Sequence, residues 1–166
     1  MDAATFLALA VACAPGVHVD TTRALVEVES GFNPWAIGVV GGTLMRQPRN
    51  RQEGLATTRA LQDQGLSFSV GLGQINVQNF ARLGLTLDAA FDPCTNLAAL
   101  QTVLGDCFDR AGSAPQRSPQ TRLRQALSCY YSGNFTTGFR HGYVARVVLA
   151  ARQPAPALPT STKEKT

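Results

Sequence analysis

Eleven carboxylates occur in the 166 residues, and two of them, Glu27 and Glu29, fall in one short helical stretch. At ~100° per residue, side chains two positions apart on a helix point ~200° away from each other, so these two cannot share a cleft. Glu27 stands four residues after Arg23, the spacing of an ordinary exposed ion pair. Glu29 stands four after Leu25 and three after Val26, at the edge of the apolar stripe and in the last turn, where the helix dipole is negative. Ionisation is penalised there and the pKa is expected to rise, which is the property wanted of a general acid near neutral pH. The competing reading is a helix-end Glu at the rim of the core.

Three strings surround this acid. Glu29-Ser30-Gly31-Phe32-Asn33-Pro34-Trp35-Ala36 places the single tryptophan just after it, with an aromatic face of the kind that lines sugar clefts or fills a core. Gly71-Leu72-Gly73-Gln74-Ile75-Asn76 has the outline of a phosphate loop but fails as one: Asn76 replaces the third Gly, and no Gly-Lys-Ser/Thr exists. Cys129-Tyr130-Tyr131-Ser132-Gly133-Asn134 ends a helix with two tyrosines and small polar residues. No C-x-x-C occurs, and His18 and His141 are far apart in sequence, so neither a metal nor another cofactor is expected.

Taken together, in this order, the strings resemble the goose-lysozyme-like (SLT) lytic transglycosylases, whose pattern is Glu-Ser with Asn-Pro-x-Ala, then Gly-Leu-Met-Gln-Ile, then Ala-Tyr-Asn-x-Gly. The wording is most similar to the subgroup attached to type IV secretion and conjugation systems. Two departures stand out. Gly73 replaces the usual Met, which should open the cleft floor, and Tyr131 replaces the usual Asn, leaving that role unfilled or passed to Asn134.

The resemblance implies a mainly α, lysozyme-like single domain over residues 1–152 with a Pro-rich tail over 153–166. It implies cleavage of the β-1,4 bond between N-acetylmuramic acid and N-acetylglucosamine of peptidoglycan, leaving a 1,6-anhydro end, in the periplasm. Glu29 would be the catalytic acid and then base. Ser30, Gln74, Asn76, Tyr130, Tyr131 and Asn134 would bind substrate, with Tyr130 bonded to the Glu or to an N-acetyl group and Ser30 and Gln74 positioning the acid and the sugar amides. The expected partners are glycan strands and, through the tail, secretion-machine components. Two alternatives stay open: a hydrolytic lysozyme in which a second acid such as Asp63 activates water, and a non-catalytic glycan-binding assembly protein of the same fold.

The elements that must position these residues follow from periodicity and punctuation. Residues 3–13 read as a first core helix. Their apolar run imitates a secretory h-region, but the preceding residues hold Asp2 and no Lys or Arg. Asp20 is the expected N-cap of a helix through Ser30. Residues 38–71 read as a lobe or long loop with one short helix near 55–64 and at most a small sheet within 38–69. Regular stretches follow at 76–84, at 93–111 behind Asp92-Pro93, at 121–131 and at 143–152, with a polar loop at 113–119. The lobe, with Arg46, Arg49, Arg51 and Arg59, and the loop 71–76 are expected to form opposite parts of a glycan groove whose base is Glu29, the arginines meeting substrate carboxylates.

Composition bounds the rest. Hydrophobic residues make 45% and charged residues 16% of the chain, which is globular and charge-poor. The net charge of +4 comes from scattered arginines, with lysine only at Lys163 and Lys165, and this gives no nucleic-acid signature. No apolar run approaches the ~20 residues of a membrane-spanning helix. The four cysteines are either buried thiols or two disulfides. Cys94 and Cys107 on one helix would lie ~19 Å apart and cannot pair. An antiparallel hairpin of the two helices that follow Pro93 and Gln120 favours Cys107 with Cys129 and Cys13 with Cys94.

Overall fold

The computed structural model describes residues 1–112 and 118–153. Helix α1 (Ala3–Cys13) starts where the Asp2 carboxylate accepts the Thr5 amide at 2.9 Å, and it buries Phe6 and Ala10. Helix α2 (Val19–Ser30) is capped by His18 rather than Asp20: the imidazole Nδ1 accepts the Asp20 amide at 3.3 Å. Asp20 sits inside the first turn, where its charge complements the dipole. Gly31 ends α2 in the left-handed conformation.

Between α2 and the long helices lies a three-stranded antiparallel sheet in the order β1 (Ile37–Val39), β2 (Phe68–Val70), β3 (Ile75–Asn76). Ile37 pairs with Val70 and Val39 with Phe68, while Val70 pairs on its other side with Ile75. The sheet thus reaches past the expected 38–69 window, because residues 75–76 supply its third strand. Helix α3 (Arg51–Asp63) fills the excursion between β1 and β2, starting four residues earlier than periodicity indicates because Asn50 accepts the Glu53 amide at 2.9 Å.

The remainder is helical. A 3-10 turn (Val77–Asn79) leads into α4 (Phe80–Leu83) and α5 (Leu87–Ala90). Helix α6 (Pro93–Arg110) opens with Asp92 accepting the Thr95 amide at 2.8 Å and Pro93 in the first turn. Helix α7 (Pro119–Ser132) is capped by Ser118, and α8 (Thr137–Arg140) and α9 (Tyr143–Arg152) close the fold. One continuous core joins Phe6, Leu25, Val26, Phe68, Leu97, Leu100 and Val147. The architecture is mainly helical with a small sheet, in one domain. No helix among the described residues is long and apolar enough to cross a membrane. Residues 113–117 of the expected polar loop, and 154–166 of the expected tail, lie outside the described residues.

Two covalent closures settle the state of the cysteines. Cys13 is bonded to Cys94 with Cα atoms 5.2 Å apart, and Cys107 to Cys129 with Cα atoms 5.7 Å apart. The first pins α1 to the start of α6, and the second pins α6 to α7 just before Tyr130.

A third tie is polar. Arg23 is only 4% exposed, so its contact with Glu27 at 2.9 Å is not the surface pair that the spacing suggests. Its other terminal nitrogen, Nη2, donates to the carbonyls of Ala150 and Gln153, each at 2.8 Å. The guanidinium fork therefore locks α2 to the end of α9, supplying charged donors to carbonyls at the helix terminus.

Candidate active site

Glu29 is carried by the last turn of α2, half-buried, at a groove of about 820 Å³. Its Oε1 accepts a hydrogen bond from the phenol of Tyr143, the first residue of α9. Burial pushes the Glu29 carboxyl up to about 7, while the Tyr143 hydrogen bond and the charge of Arg146 pull the other way. The packing of α9 over α2 is the larger influence, so a carboxyl with a proton to give near neutral pH is a product of tertiary structure. The same burial, with the charge of Glu29 second, drives the Tyr143 phenol far above its ordinary value and leaves it a hydrogen-bond donor only.

Residues 38–40 of the first strand and its exit, Ser67 and Ser69 of β2 and its approach, and Asn76 of β3 line one side of the groove, and Val103 with residues 130–133 line the other. The lobe and the loop 71–76 are thus neighbouring strands of one wall and not opposing lips. Arg46, Arg49, Arg51 and Arg59 are absent from the lining. Arg46 is paired with Glu53 at 2.6 Å and Arg51 with Asp88 at 2.5 Å, each within the lobe or against α5. The charges of Arg46 and Arg51 are spent on structure. Trp35 also lies outside the lining and packs on the core, 6.3 Å from the Phe91 ring.

The loop between β2 and β3 owes its shape to a residue that the sequence motifs do not include. Asn96 of α6 is 1% exposed; its amide donates to the carbonyls of Val70 (3.0 Å) and Ala90 (2.8 Å), and its oxygen accepts the Gly73 amide at 2.7 Å. Gly71 is required on two counts, a φ of +78° and a Cβ position only 2.3 Å from the Asn96 nitrogen. Gln74 follows with φ 49°, strained for a non-glycine residue, and its amide nitrogen is tied to the carbonyls of Ala36 and Gly71, both at 3.0 Å. Both donors being used, Oε1 is the acceptor that Gln74 retains in the groove.

Of the candidates named from sequence, Gln74, Asn76, Tyr130 and Tyr131 line the groove with Glu29, whereas Ser30 and Asn134 do not. Ser30 donates to the Val26 carbonyl at 3.1 Å, and the Asn134 oxygen caps the turn before α8 by accepting the Thr136 and Thr137 amides at 3.0 and 2.9 Å. Asn76 holds Ser67 and Ser69 at 3.2 and 3.3 Å, forming a polar patch on the sheet. Tyr130 donates to the Gly73 carbonyl at 2.5 Å and not to Glu29. A Cβ on Gly73 would stand 3.0 Å from that hydroxyl and from Leu100, so the missing side chain admits Tyr130 and does not open the floor. Tyr131 stacks on Tyr143 with centroids 4.6 Å apart, and its hydroxyl meets His141 Nδ1 at 3.2 Å. Tyr143, the partner of the acid, belongs to none of the three strings; a lone Tyr opening an apolar helix gives no sign of its role.

Among the described residues Glu29 is the only carboxylate in the groove lining, and Asp63, the second acid that a hydrolytic reading would use, is exposed at the end of α3, outside that lining. No group of three or more His, Cys, Asp or Glu among the described residues is placed to hold a metal ion. A helical domain with a small sheet and one half-buried acid at a groove has the form of a lysozyme-like domain. The chain belongs to the transglycosylase SLT domain family, whose model matches residues 6–146.

Among its relatives, the type IV secretion system protein virB1 of Brucella abortus is 48% identical over 151 residues, covering 88% of this chain and 63% of that protein. Protein virB1 of Agrobacterium fabrum is 40% identical over 154 residues, covering 92% and 61%. Protein virB1 of Rhizobium radiobacter is 39% identical over 160 residues, covering 95% and 65%. The chain therefore spans somewhat less than two thirds of the relatives it matches. No solved structure matches it.

Proposed function

We propose that residues 1–152 form a peptidoglycan lytic transglycosylase domain that acts in the periplasm and opens the wall locally for a type IV secretion or conjugation apparatus. The observation that carries the activity is a single carboxyl, raised to about 7, in a groove whose lining contains no other carboxylate among the described residues. Protonated Glu29 gives its proton to the glycosidic oxygen as the bond to C1 of the muramic acid breaks. The substrate's own N-acetyl oxygen supports the oxocarbenium-like centre, the part that a second carboxylate plays in ordinary glycosidases. Carboxylate Glu29 then takes the proton of the C6 hydroxyl as O6 bonds to C1. The acid is regenerated, no water is consumed, and no cofactor enters.

Gln74 Oε1 and the Asn76, Ser67 and Ser69 patch supply hydrogen bonds suited to hydroxyls and N-acetyl amides, and the exposed Tyr131 ring offers a face for a sugar. The family and the names of its relatives support the placement at a secretion system. Digestion of purified peptidoglycan with mass analysis of the fragments tests the reading. The expected products end in 1,6-anhydromuramic acid, one water lighter than hydrolytic ends. Hydrolytic ends would show that water is activated by other means, and uncleaved glycan that is nevertheless bound would mark a binding domain.

A further inference from the structure

Three side chains form a closed cycle of contacts beside the acid, and one of them lies outside the groove. Tyr131 of α7 stacks on Tyr143 with centroids 4.6 Å apart and planes 21° from parallel. Its hydroxyl meets Nδ1 of His141 at 3.2 Å, and the imidazole stands edge-on to the Tyr131 ring at 5.9 Å. His141 precedes Tyr143 by two residues, so the backbone between them completes the cycle. Gly142 makes the turn between α8 and α9 at a φ of +69°, which brings both flanking side chains to Tyr131. The members differ in exposure: Tyr131 is 42% exposed and lines the groove, whereas Tyr143 is 2% exposed. An exposed aromatic whose tip is free turns among its rotamers. The tie to His141 removes that freedom and keeps the Tyr131 face on Tyr143.

We propose that His141 is a positioning residue for the cleavage reaction: it fixes Tyr131, and the fixed Tyr131 ring holds the Tyr143 phenol on Glu29. The inference rests on the reading of Glu29 as the catalytic acid. His141 is exposed and absent from the groove lining, so its influence on the acid runs through the two tyrosines. Its backbone is a firm anchor, the amide donating to the Thr137 carbonyl at 2.9 Å and the carbonyl accepting from Arg146 at 3.2 Å. The tie holds in either charge state of the imidazole, because a phenol donates to a bare Nδ1 and accepts from Nδ1–H. Asn, the residue usual in the family at position 131, has no ring to stack on Tyr143, so the arrangement belongs to the tyrosine. Glu29 is faced by Tyr143 and Arg146 from α9 and by Tyr130 from α7. Arg146 meets His141 at its backbone carbonyl, and replacing the imidazole leaves that contact in place.

The test reads Glu29 directly, by carbon-13 NMR titration of protein labelled at its four glutamates, with Glu29→Gln identifying the signal. The Tyr143 bond draws the Glu29 carboxyl down against burial. Loosening that bond is therefore expected to move the midpoint upward from about 7 in His141→Ala and in Tyr131→Phe, toward the midpoint of Tyr143→Phe. His141→Asn, whose amide oxygen can take the place of Nδ1, is expected to restore the wild-type midpoint. Added to Tyr143→Phe, His141→Ala is expected to move nothing further, whereas a direct effect of the imidazole would persist. On soluble, peptide-free glycan strands, kcat is expected to fall about fivefold in His141→Ala, the size of one lost neutral hydrogen bond. KM should stay within about twofold, since the groove lining is intact. An unmoved midpoint in both single variants, or an undiminished shift in the double variant, overturns the proposal, and so does a raised KM with kcat unchanged. Strands cleaved with an unmoved midpoint sink the positioning role alone. A midpoint that moves in a protein that cleaves no strand sinks the transglycosylase reading and leaves the linkage from His141 to Glu29 standing.

Discussion

The phenol of Tyr143 donates its hydrogen to Oε1 of Glu29 across 114 residues of chain. This bond favours the ionised carboxyl, while burial favours the protonated one and dominates. The acid must be protonated when the glycosidic bond breaks, so cleavage is expected to fall as pH rises through about 7. Tyr143→Phe removes the opposing influence, and the falling limb of the pH–rate profile should move to higher pH. The maximal rate should drop about tenfold, the cost of a carboxyl no longer held in one orientation. A limb that stays in place would show that the hydrogen bond does not govern the acid.

Glu29→Gln is expected to lower cleavage by ~10²–10⁴, the range for removal of a general acid. The amide keeps the shape and still accepts from Tyr143. Stability gives an independent reading. A carboxyl whose folded pKa is about 7 against an ordinary value of 4.5 binds more protons when folded, so stability declines as pH rises between these values and levels off above about 7. The full cost of ionising Glu29 in its site is about 3 kcal/mol. Glu29→Gln is free of that cost and should melt several degrees above wild type at pH 8, with the gap closing toward pH 4.5. Parallel melting curves across this window would show that Glu29 is not the buried titrating group.

Glu27→Gln addresses the other carboxylate of α2. Turnover should stay within about threefold, since Glu27 does not line the groove. Stability should fall by about 1–2 kcal/mol, more than an exposed pair would give, because Arg23 would keep its buried charge with only carbonyls for company. Urea unfolding measures it. A loss under 0.3 kcal/mol, on the order of a surface pair, would mean that the carbonyls of Ala150 and Gln153 satisfy Arg23 alone.

The helices were largely legible because capping chemistry is local: Asp92-Pro93 for α6, Gly31 for the end of α2, and the apolar repeat of residues 143–152 for α9 all announce themselves within a few residues. Glu29 could be singled out by its phase on the helix. What could not be read was every contact made across the fold. Tyr143 acts through a partner 114 residues away and Asn96 chiefly through Val70 and Gly73, 26 and 23 residues away, and neither type nor spacing marks them. The structural role of Arg46 and Arg51 is hidden for the same reason, their carboxylate partners Glu53 and Asp88 having no sequence pattern. The strands were too short, at two or three residues, for alternation to show.

Gly73 provides a direct test of how the floor is built. Gly73→Met, which restores the residue usual in the family, places a Cβ 3.0 Å from the Tyr130 hydroxyl and from Leu100. Overpacking of this kind typically costs about 1–3 kcal/mol, and it should displace Tyr130 from the Gly73 carbonyl. Gly73→Met with Tyr130→Phe should recover part of the loss, which a double-mutant cycle in urea would quantify. Strict additivity would show that the two positions do not compete for space.

The Cys13–Cys94 bond closes a covalent ring that contains β1, α3, β2 and β3, and so the whole strand wall of the groove. Arg46 and Arg49 stand exposed inside this ring, on the stretch leading to α3, where a trypsin-like protease would find its targets. A cut there adds one water and releases nothing, because both pieces remain tethered through the two sulfurs. The nicked protein would run as one species on a non-reducing gel and part into two only after a thiol is added. A domain so ringed survives scission as a single molecule, with the acid on one fragment and its phenol partner on the other still joined.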